Sequence, residues 1–317
     1  MCTYNGVRFL DDQLTSLVSQ NRQPDEIVVC DDCSTDSSVA VLRKFATSAP
    51  FPVYIHENTT RLGSTKNFER AISLCQGDVI ALCDQDDIWH SQKLRSTEER
   101  FVERPGVGIV FTDAEIVDEK AKPLGYNLWD TLEFNKALQA RLKSPAAFGI
   151  LSQRQLVTGA TMAFRTEFRD LILPIPQGIP LIHDGWIALM ISLAAAVDLI
   201  DRPTMKYRQH DTQQVGASLS DPPDVPAGIL ERAKTHYSFA EEIKKLEVVR
   251  ERVLARKDRY EFRFAEDVDH RLNHMHKRVE ISQRRVSGIA SAFGELLAGR
   301  YHRYSNGFYS FAKDLLR

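Results

Sequence analysis

The chain has 317 residues, of which 43% are hydrophobic and 26% are charged, and its formal net charge is −2. This composition is typical of a soluble globular protein, and the near-neutral charge gives no general case for a nucleic-acid partner. The charge is unevenly spread, because the stretch from Glu241 to the end has 17 Lys and Arg against 12 Asp and Glu, whereas the preceding part is acidic. A basic end on an acidic body favours contact with an anionic surface.

The cysteines and the apolar stretches bear on location. All five cysteines lie within the first 83 residues, and their odd number and apolar positions predict reduced thiols rather than a disulfide framework. No basic leader precedes Thr3, and the longest apolar stretch, 186–200, is too short to span a bilayer and contains Asp198. We therefore expect a cytoplasmic protein that is neither secreted nor membrane-spanning.

Strands and helices alternate along the first 83 residues. Apolar, β-branched runs predict buried strands at 26–30, 52–56 and 78–83, after a first strand of which residues 1–3 can be only the tail. Apolar residues at helical spacing predict helices at 7–18, 37–47 and 66–75. This β-α-β-α-β-α-β order predicts an α/β fold with a parallel sheet that binds ligands at the carboxyl ends of its strands.

Two acidic loops leave that edge of the predicted sheet. Asp31 and Asp32 follow the second strand, and Asp84, Asp86 and Asp87 follow the fourth. Neighbouring carboxylates repel one another unless a cation or several donors lie among them. Oxygen ligands on a short loop suit Mg²⁺ or Mn²⁺, which complete their shells with water and substrate phosphates. The alternative interpretation is a solvated turn whose aspartates cap the next helix.

The later part of the chain predicts a change of architecture. A helix at 92–104 and a strand at 107–112 continue the α/β pattern, and the proline-rich stretch 218–228 is predicted to be a linker. It would separate a catalytic domain, 1–217, from a helical and basic region, 229–317. The aromatic and basic end of that region has the pattern of a helix that lies in a lipid headgroup layer, and packing against the body is the alternative. We expect the region to serve oligomerisation or membrane association.

The usual phosphate-binding loops are missing from the sequence. There is no G-x-x-x-x-G-K-[ST], and Gly106-Val107-Gly108 lacks a third glycine, which argues against a P-loop NTPase and a dinucleotide dehydrogenase. A nucleotide held by acidic loops remains. In that arrangement Asp31 or Asp32 would accept hydrogen bonds from the nucleoside, and Asp86, backed by Asp84, would bind a cation on the diphosphate.

Several motifs occur in the order seen in family 2 glycosyltransferases, which residues 1–217 resemble. The motifs are Thr3-Tyr4-Asn5-Gly6, Asp31-Asp32-Cys33-Ser34-Thr35-Asp36, Asn67-Phe68, Gly77-Asp78, Asp84-Gln85-Asp86-Asp87-Ile88-Trp89, His183-Asp184 and Tyr207-Arg208-Gln209-His210. The resemblance implies a GT-A fold, which is a Rossmann-like and mostly parallel sheet with flanking helices. It also implies a dTDP- or UDP-sugar donor, Mn²⁺ or Mg²⁺, and inversion at the anomeric carbon.

The resemblance further implies roles for individual residues. Asp184 is the expected base, at a helix start that would keep it ionised, with an ordinary N-cap as the alternative. Asp86, Asp84 and His210 are the expected metal ligands, and a surface histidine is the alternative for His210. The nucleotide-binding residues would be Thr3, Tyr4, Asn5, Asp31, Asp32, Lys66, Asp84 and Gln85. The residues expected near the sugar or the acceptor are Trp89, Asp87, His183 and Trp186, for which a core tryptophan is the alternative at position 186.

The motifs that contain Asp86 and His210 are similar in sequence to those of bacterial rhamnosyltransferases of surface polysaccharide assembly. We therefore expect an inverting hexosyltransferase that moves a sugar, L-rhamnose among the candidates, to a glycan or lipid-linked acceptor of the O-antigen type. It would act in the cytoplasm or peripherally on the inner face of the cell membrane, as a monomer or homo-oligomer. The alternative is a catalytically vestigial nucleotide-sugar-binding scaffold that recruits partners through its helical end.

Overall fold

The computed structural model describes residues 1–211, 238–283 and 287–316. The described residues divide into two compact units. The first contains 1–147, 155–175 and 182–211, and the second contains 148–154, 176–181, 238–283 and 287–316. The predicted linker at 218–228 lies outside the described residues.

Up to residue 211 the chain alternates between strands and helices. The strands are β1 (Cys2–Thr3), β2 (Ile27–Asp31), β3 (Val53–Glu57), β4 (Val79–Ala81), β5 (Ile88–Trp89), β6 (Val107–Val117), β7 (Pro123–Asn127), β8 (Met162–Arg165) and β9 (Ala196–Arg208). The helices are α1 (Val7–Val18), α2 (Ser38–Ala46), α3 (Ser64–Leu74), α4 (Lys93–Glu103), α5 (Leu128–Thr131), α6 (Lys136–Leu142), α7 (Ala147–Leu151), α8 (Arg169–Ile172) and α9 (His183–Ala194). The first three strands and helices lie close to their predicted positions.

The strands form a parallel ladder and a mixed one. β1, β2 and β3 pair in parallel in that order, and the second ladder runs β4-β8-β6-β9-β5, with β7 beside β6. β6 and β9 are parallel to each other, whereas β8 is antiparallel to both β6 and β4. β4, predicted as one of four parallel strands, therefore runs parallel to β6 but forms its ladder with the antiparallel β8 that lies between them. β1 is only two residues long, and it makes one backbone hydrogen bond to the residues that follow β4, from the N–H of Cys2 to the carbonyl oxygen of Cys83 at 3.2 Å. The hydrogen-bonded ladder of β4 is formed with β8.

Apolar residues on the helices explain how the first unit holds its strand ends in place. α1 buries Leu10, Leu14 and Leu17, which are spaced to share one face, in a core that also contains Val29 of β2. α9 is buried on nearly all sides, since nine of its twelve residues are inaccessible to solvent. A helix enclosed in this way has little freedom to move, so its first turn is held firmly in place.

The second unit is helical. Its later helices are α10 (Phe239–Arg256), α11 (Ala265–Gln283), α12 (Ser287–Leu297), α13 (Arg300–Tyr304) and α14 (Phe308–Leu315). Buried charges are paired within it. Arg278 donates to both carboxylate oxygens of Asp314, at 2.6 and 2.9 Å, and the Tyr301 hydroxyl donates to the same carboxylate at 2.8 Å. Among all described helices, none combines the length and the apolar content needed to cross a bilayer.

Candidate active site

Acidic side chains from distant parts of the chain meet at one place in the first unit. Burial, and after it the charges of Asp86 and Asp184, raise the pKa of Asp84 to about 7. The loop after β4 and the first turn of α9 therefore place these carboxylates within electrostatic range of one another. About a hundred residues separate Asp86 from Asp184 in the sequence.

Tyr207, near the end of β9, lies within electrostatic range of the same acidic groups. Its pKa is raised, first by burial and then by the negative charges of Asp87, Asp84, Asp86 and Asp184. Tyr207 was not among the predicted site residues, although it belongs to one of the motifs. Its ring belongs to the hydrophobic core that also contains Met205, as packing predicts for an aromatic residue in a strand.

Asp86 and His210, two of the predicted metal ligands, are in direct contact. Nε2 of His210 lies 2.8 Å from Oδ2 of Asp86, and the imidazole contacts the ring of Phe9, with centroids 4.6 Å apart. Arg208 orients the loop, because its Nε donates to the backbone oxygen of Asp86 at 2.7 Å and its Nη2 donates to Asp12 at 2.8 Å. Sequence reasoning gave Arg208 no role, although it belongs to the motif at 207–210.

The pair of Asp86 and His210 fits a divalent cation. A carboxylate oxygen and an imidazole nitrogen both bind divalent transition-metal ions, and a cation would offset the burial and the carboxylate charges that raise the pKa of Asp84. Among the described residues, no group of three His, Cys, Asp or Glu side chains is arranged to enclose an ion alone. Water and substrate oxygens would therefore complete the shell, which is how Mg²⁺ usually binds.

Asp184 lies in the first turn of α9. Its Oδ1 accepts a hydrogen bond from the backbone N–H of Gly185 at 2.6 Å, and its Oδ2 accepts one from Gly159 at 3.1 Å. The N-cap of the helix is Ile182, so Asp184 is not an ordinary N-cap carboxylate. Two backbone N–H donors therefore fix the orientation of this carboxylate at the start of the helix.

His183 is enclosed by protein beside Asp184. Its imidazole stacks on Phe68 with ring centroids 4.2 Å apart, and neither ring nitrogen has a hydrogen-bond partner among the described residues. Burial lowers its pKa, so the neutral ring is favoured. A side chain at Gly159 would bring a Cβ within 2.9 Å of Nε2 of His183. The expected contact of His183 with a sugar or acceptor stays a prediction.

Three other residues expected near the sugar or acceptor lie in the core instead. Trp186 is fully buried and its indole N–H donates to the backbone oxygen of Ile172 at 2.8 Å. Asp87 is also fully buried, and Trp89 packs against the ammonium group of Lys93, which lies 4.9 Å from its ring centroid. The contacts of Trp186, Asp87 and Trp89 with a sugar or an acceptor stay predictions, and for Trp186 the burial fits the alternative of a core tryptophan. The pairing of β5 with β9 buries the end of the acidic motif at 84–89, and α9 is buried on the face that carries Trp186.

The acidic loop after β2 is held by bonds within the chain. Asp31 accepts hydrogen bonds from the hydroxyls of Thr3 and Ser34, at 2.8 and 2.6 Å. Asp32 accepts hydrogen bonds from the Asn58 side chain and from the backbone N–H of Gly63, at 2.7 and 2.8 Å. Both carboxylates are buried, so any contact with a nucleoside would come in addition to these bonds.

A side-chain bridge joins the turn after β1 to the loop after β4. Gln85 accepts a hydrogen bond from the N–H of Tyr4 at 2.8 Å and donates one to its backbone oxygen at 3.1 Å. A Cβ at Gly6 would lie 2.1 Å from Oε1 of Gln85, so this bridge needs glycine at position 6. Asn5 accepts a hydrogen bond from the N–H of Thr35 at 2.8 Å. The bridge brings predicted nucleotide-binding residues beside the acidic site.

Two basic residues lie near the predicted nucleotide-binding loops. Nζ of Lys66 donates to Glu69 at 2.7 Å and to the backbone oxygen of Ile175 at 2.8 Å, so its expected phosphate contact stays a prediction. Arg61, which sequence reasoning missed, places its guanidinium 3.9 Å from the ring centroid of Tyr4. A single arginine in a polar loop offers no signal in the sequence alone.

The curated relatives include glycosyltransferases. Over 234 residues the chain is 29% identical to the dTDP-rhamnosyl transferase RfbG of Shigella flexneri, which covers 69% of this chain and 75% of RfbG. It is 28% identical over 124 residues to a putative teichuronic acid biosynthesis glycosyltransferase, TuaG, of Bacillus subtilis. That match covers 38% of this chain and 48% of TuaG, so the chain spans about half of that relative.

The fold is also found among solved structures. A crystal structure of residues 1–349 of TarS from S. aureus, in complex with UDP-GlcNAc, matches 99% of this chain and 86% of that chain with a TM-score of 0.58 and 15% identity. This likeness confirms the predicted GT-A fold with flanking helices and a helical end. The profile described as "Glycosyl transferase family 2" matches residues 1–159. The chain therefore belongs to glycosyl transferase family 2.

Proposed function

We propose that this glycosyltransferase is an inverting, metal-dependent enzyme that moves a sugar from a dTDP- or UDP-sugar to a glycan or lipid-linked acceptor. The convergence of Asp84, Asp86 and Asp184, with His210 2.8 Å from Asp86, is the observation that carries the proposal. The similarity to a dTDP-rhamnosyl transferase supports L-rhamnose as the transferred sugar and bacterial surface polysaccharide, such as O-antigen, as the product. The free cysteines support a cytoplasmic location.

Asp184 is the proposed base. It removes the proton of the acceptor hydroxyl while that oxygen attacks the anomeric carbon on the face opposite the nucleoside diphosphate, which inverts the configuration. The N–H groups of Gly159 and Gly185 aim its carboxylate from the first turn of α9. Because α9 is buried, the base is held rigidly, as a positioned proton acceptor requires.

Asp86 and His210, with Asp84 beside them, would hold Mn²⁺ or Mg²⁺. Such an ion supplies positive charge that stabilises the leaving diphosphate. Tyr207 and Arg208 shape this part of the site, the first as a side chain within electrostatic range of the carboxylates and the second by fixing the backbone of Asp86.

The nucleoside is proposed to bind at the loops that follow β1 and β2. The bond between Thr3 and Asp31, and the bridge between Tyr4 and Gln85, hold these loops beside the acidic site. The remaining residues proposed to line this nucleotide site are Asn5, Asp32 and Lys66. The catalytic domain is proposed to comprise residues 1–217.

The test compares two isosteric substitutions. Asp184→Asn should retain donor binding in the presence of Mn²⁺, measured by calorimetry, and should lose transfer by roughly 10²- to 10⁴-fold because the base is gone. Asp86→Asn should weaken donor binding with Mn²⁺ and leave the smaller metal-free binding unchanged. Asp25→Asn, at a side chain that is 79% exposed, is the matched control and should behave as the unaltered enzyme.

Product analysis by NMR should show the anomeric configuration inverted relative to the donor, and EDTA should abolish transfer. Full transfer by Asp184→Asn would refute the assignment of the base. Donor binding by the unaltered chain with neither transfer nor donor hydrolysis would support the nucleotide-sugar-binding scaffold instead.

A further inference from the structure

Lys93, the first residue of α4, places an ammonium group inside the first unit. The residue is only 3% exposed, and lysine is almost never fully buried unless a partner offsets its charge. Nζ lies 4.9 Å from the ring centroid of Trp89 and 3.5 Å from Sδ of Met205, and the negative charge of Asp87 acts on it. These surroundings hold the end of the side chain at one position, because the stem and the charged group are both enclosed.

The oxygen that accepts a hydrogen bond from this ammonium group belongs to a turn beside the proposed base. Nζ of Lys93 donates to the backbone oxygen of Ala160 at 3.1 Å. Residues 159–161 form a single 3₁₀ turn, and at its start the N–H of Gly159 donates to Oδ2 of Asp184 at 3.1 Å. The turn is therefore bonded to Lys93 on one side and to Asp184 on the other.

The turn at 159–161 is closed by bonds of its own. The N–H and the hydroxyl of Thr161 both donate to the backbone oxygen of Thr158, at 2.9 and 2.7 Å. Peptide units are planar, so only the backbone dihedrals of Gly159 and Ala160 lie between the N–H that reaches the base and the oxygen that reaches the ammonium group. A displacement of the oxygen of Ala160 is therefore passed on to the N–H of Gly159.

We propose that Lys93 is a positioning residue for sugar transfer, which holds the turn at 159–161 so that the N–H of Gly159 aims the carboxylate of Asp184. The proposal rests on the proposed role of Asp184 as the base, and it adds a residue whose own side chain is enclosed by protein. A hydrogen bond from an ammonium group is stronger than one between neutral groups, and the low dielectric of the interior strengthens it further.

The alternative is that Lys93 only fills the core. Methionine has an unbranched side chain of similar length, which would fill the same space without a charge. Burial lowers the pKa of Lys93 to about 8, so the interior disfavours the ammonium form and packing alone gives no reason for it. Lys93→Met distinguishes the two explanations, since it keeps the packing and removes the bond to Ala160.

The test follows the bond between Gly159 and Asp184 by amide hydrogen exchange in protein labelled with ¹⁵N-glycine. In Lys93→Met the amide of Gly159 should exchange about tenfold faster at pH 7, because the turn has lost one hydrogen bond. The amide of Gly185 donates to the other oxygen of the same carboxylate from α9, at 2.6 Å, and should exchange at its original rate. Met205→Leu is the matched control, because it removes the sulfur contact of Nζ, keeps the bond to the turn and should alter neither rate.

Kinetics with dTDP-L-rhamnose and Mn²⁺ provide the second readout. Lys93→Met should lower kcat by about tenfold, leave KM for the donor unchanged and not lower the melting temperature, because a misplaced base slows the reaction without loosening donor binding. In Asp184→Asn the same substitution should cause no further loss, since its effect passes through the base. Lys93→Gln, whose side chain is one atom shorter, is a second variant that should show the same split between kcat and KM.

Three results would each overturn the proposal. The first is an unaltered exchange rate at Gly159 in Lys93→Met, and the second is an equal loss of kcat with and without the carboxylate of Asp184. The third is a raised KM for the donor together with a lowered melting temperature, which would indicate a purely structural role. Faster exchange at Gly159 in a protein that turns over no nucleotide sugar would support the positioning and count against the proposed activity, so the two failures are distinguishable.

Discussion

Gly159→Ala tests whether the position of the base depends on the absence of a side chain at residue 159. A Cβ there would lie 2.9 Å from Nε2 of His183 and 3.7 Å from Cβ of Asp184. His183 cannot simply swing away, because its ring is stacked on Phe68 with centroids 4.2 Å apart. Relief of the contact therefore requires the first turn of α9 to move.

The size of that movement sets the expected effect. An ordinary carbon contact is about 3.5 Å or longer, so His183 must retreat by roughly half an ångström. Overpacking of this kind costs about 1 to 3 kcal/mol of unfolding free energy. The same shift lengthens the 3.1 Å bond from Gly159 N to Asp184, and a displacement of 1 Å in a reacting group costs about 10²-fold in rate. We therefore expect kcat to fall by roughly tenfold.

The assay pairs sugar-transfer kinetics with urea unfolding. Gly106→Ala is the matched control, since a Cβ at residue 106 meets no atom within 4 Å, and it should change neither quantity. A Gly159→Ala enzyme with an unaltered kcat and unaltered stability would refute the packing argument. A loss of stability with an unaltered kcat would show that Asp184 is held independently of this contact.

Two buried charges give further predictions. Burial lowers the pKa of Lys93 to about 8 from its ordinary 10.5. Between these two pH values the unfolded chain binds a proton that the folded chain has lost. The free energy of unfolding therefore rises with pH in that window, by about 3 kcal/mol relative to Lys93→Met. A urea-unfolding difference between the two proteins that does not vary with pH would contradict this. Arg278→Met leaves the buried carboxylate of Asp314 without its cation and should cost about 3 to 5 kcal/mol of unfolding free energy. Arg278→Met combined with Asp314→Leu should recover much of that loss, because no charge is then left buried without a partner. A double variant no more stable than Arg278→Met alone would contradict this explanation.

Local patterns predicted the elements in which one face or both faces are buried. The apolar run of β2 and the spacing of Leu10, Leu14 and Leu17 on α1 identified the start of the fold, because strands and helices repeat with different periods. The same reading placed Asp31 and Asp84 at strand ends, and the motif order indicated the family that the profile match established. These are properties of neighbouring residues, which a sequence shows directly.

The arrangement of the site depended on contacts between distant residues. Whether Trp186 faces a ligand or the core, and whether β4 pairs with a parallel or an antiparallel neighbour, follows from which elements pack around them. The proximity of Asp84 to Asp184, and of Asp86 to His210, likewise arises only when β4, α9 and β9 come together. A linear pattern reports how a residue alternates between buried and exposed positions. It does not report which elements pack against each other in the folded protein. That packing decides whether carboxylates that are distant in the sequence meet at one site.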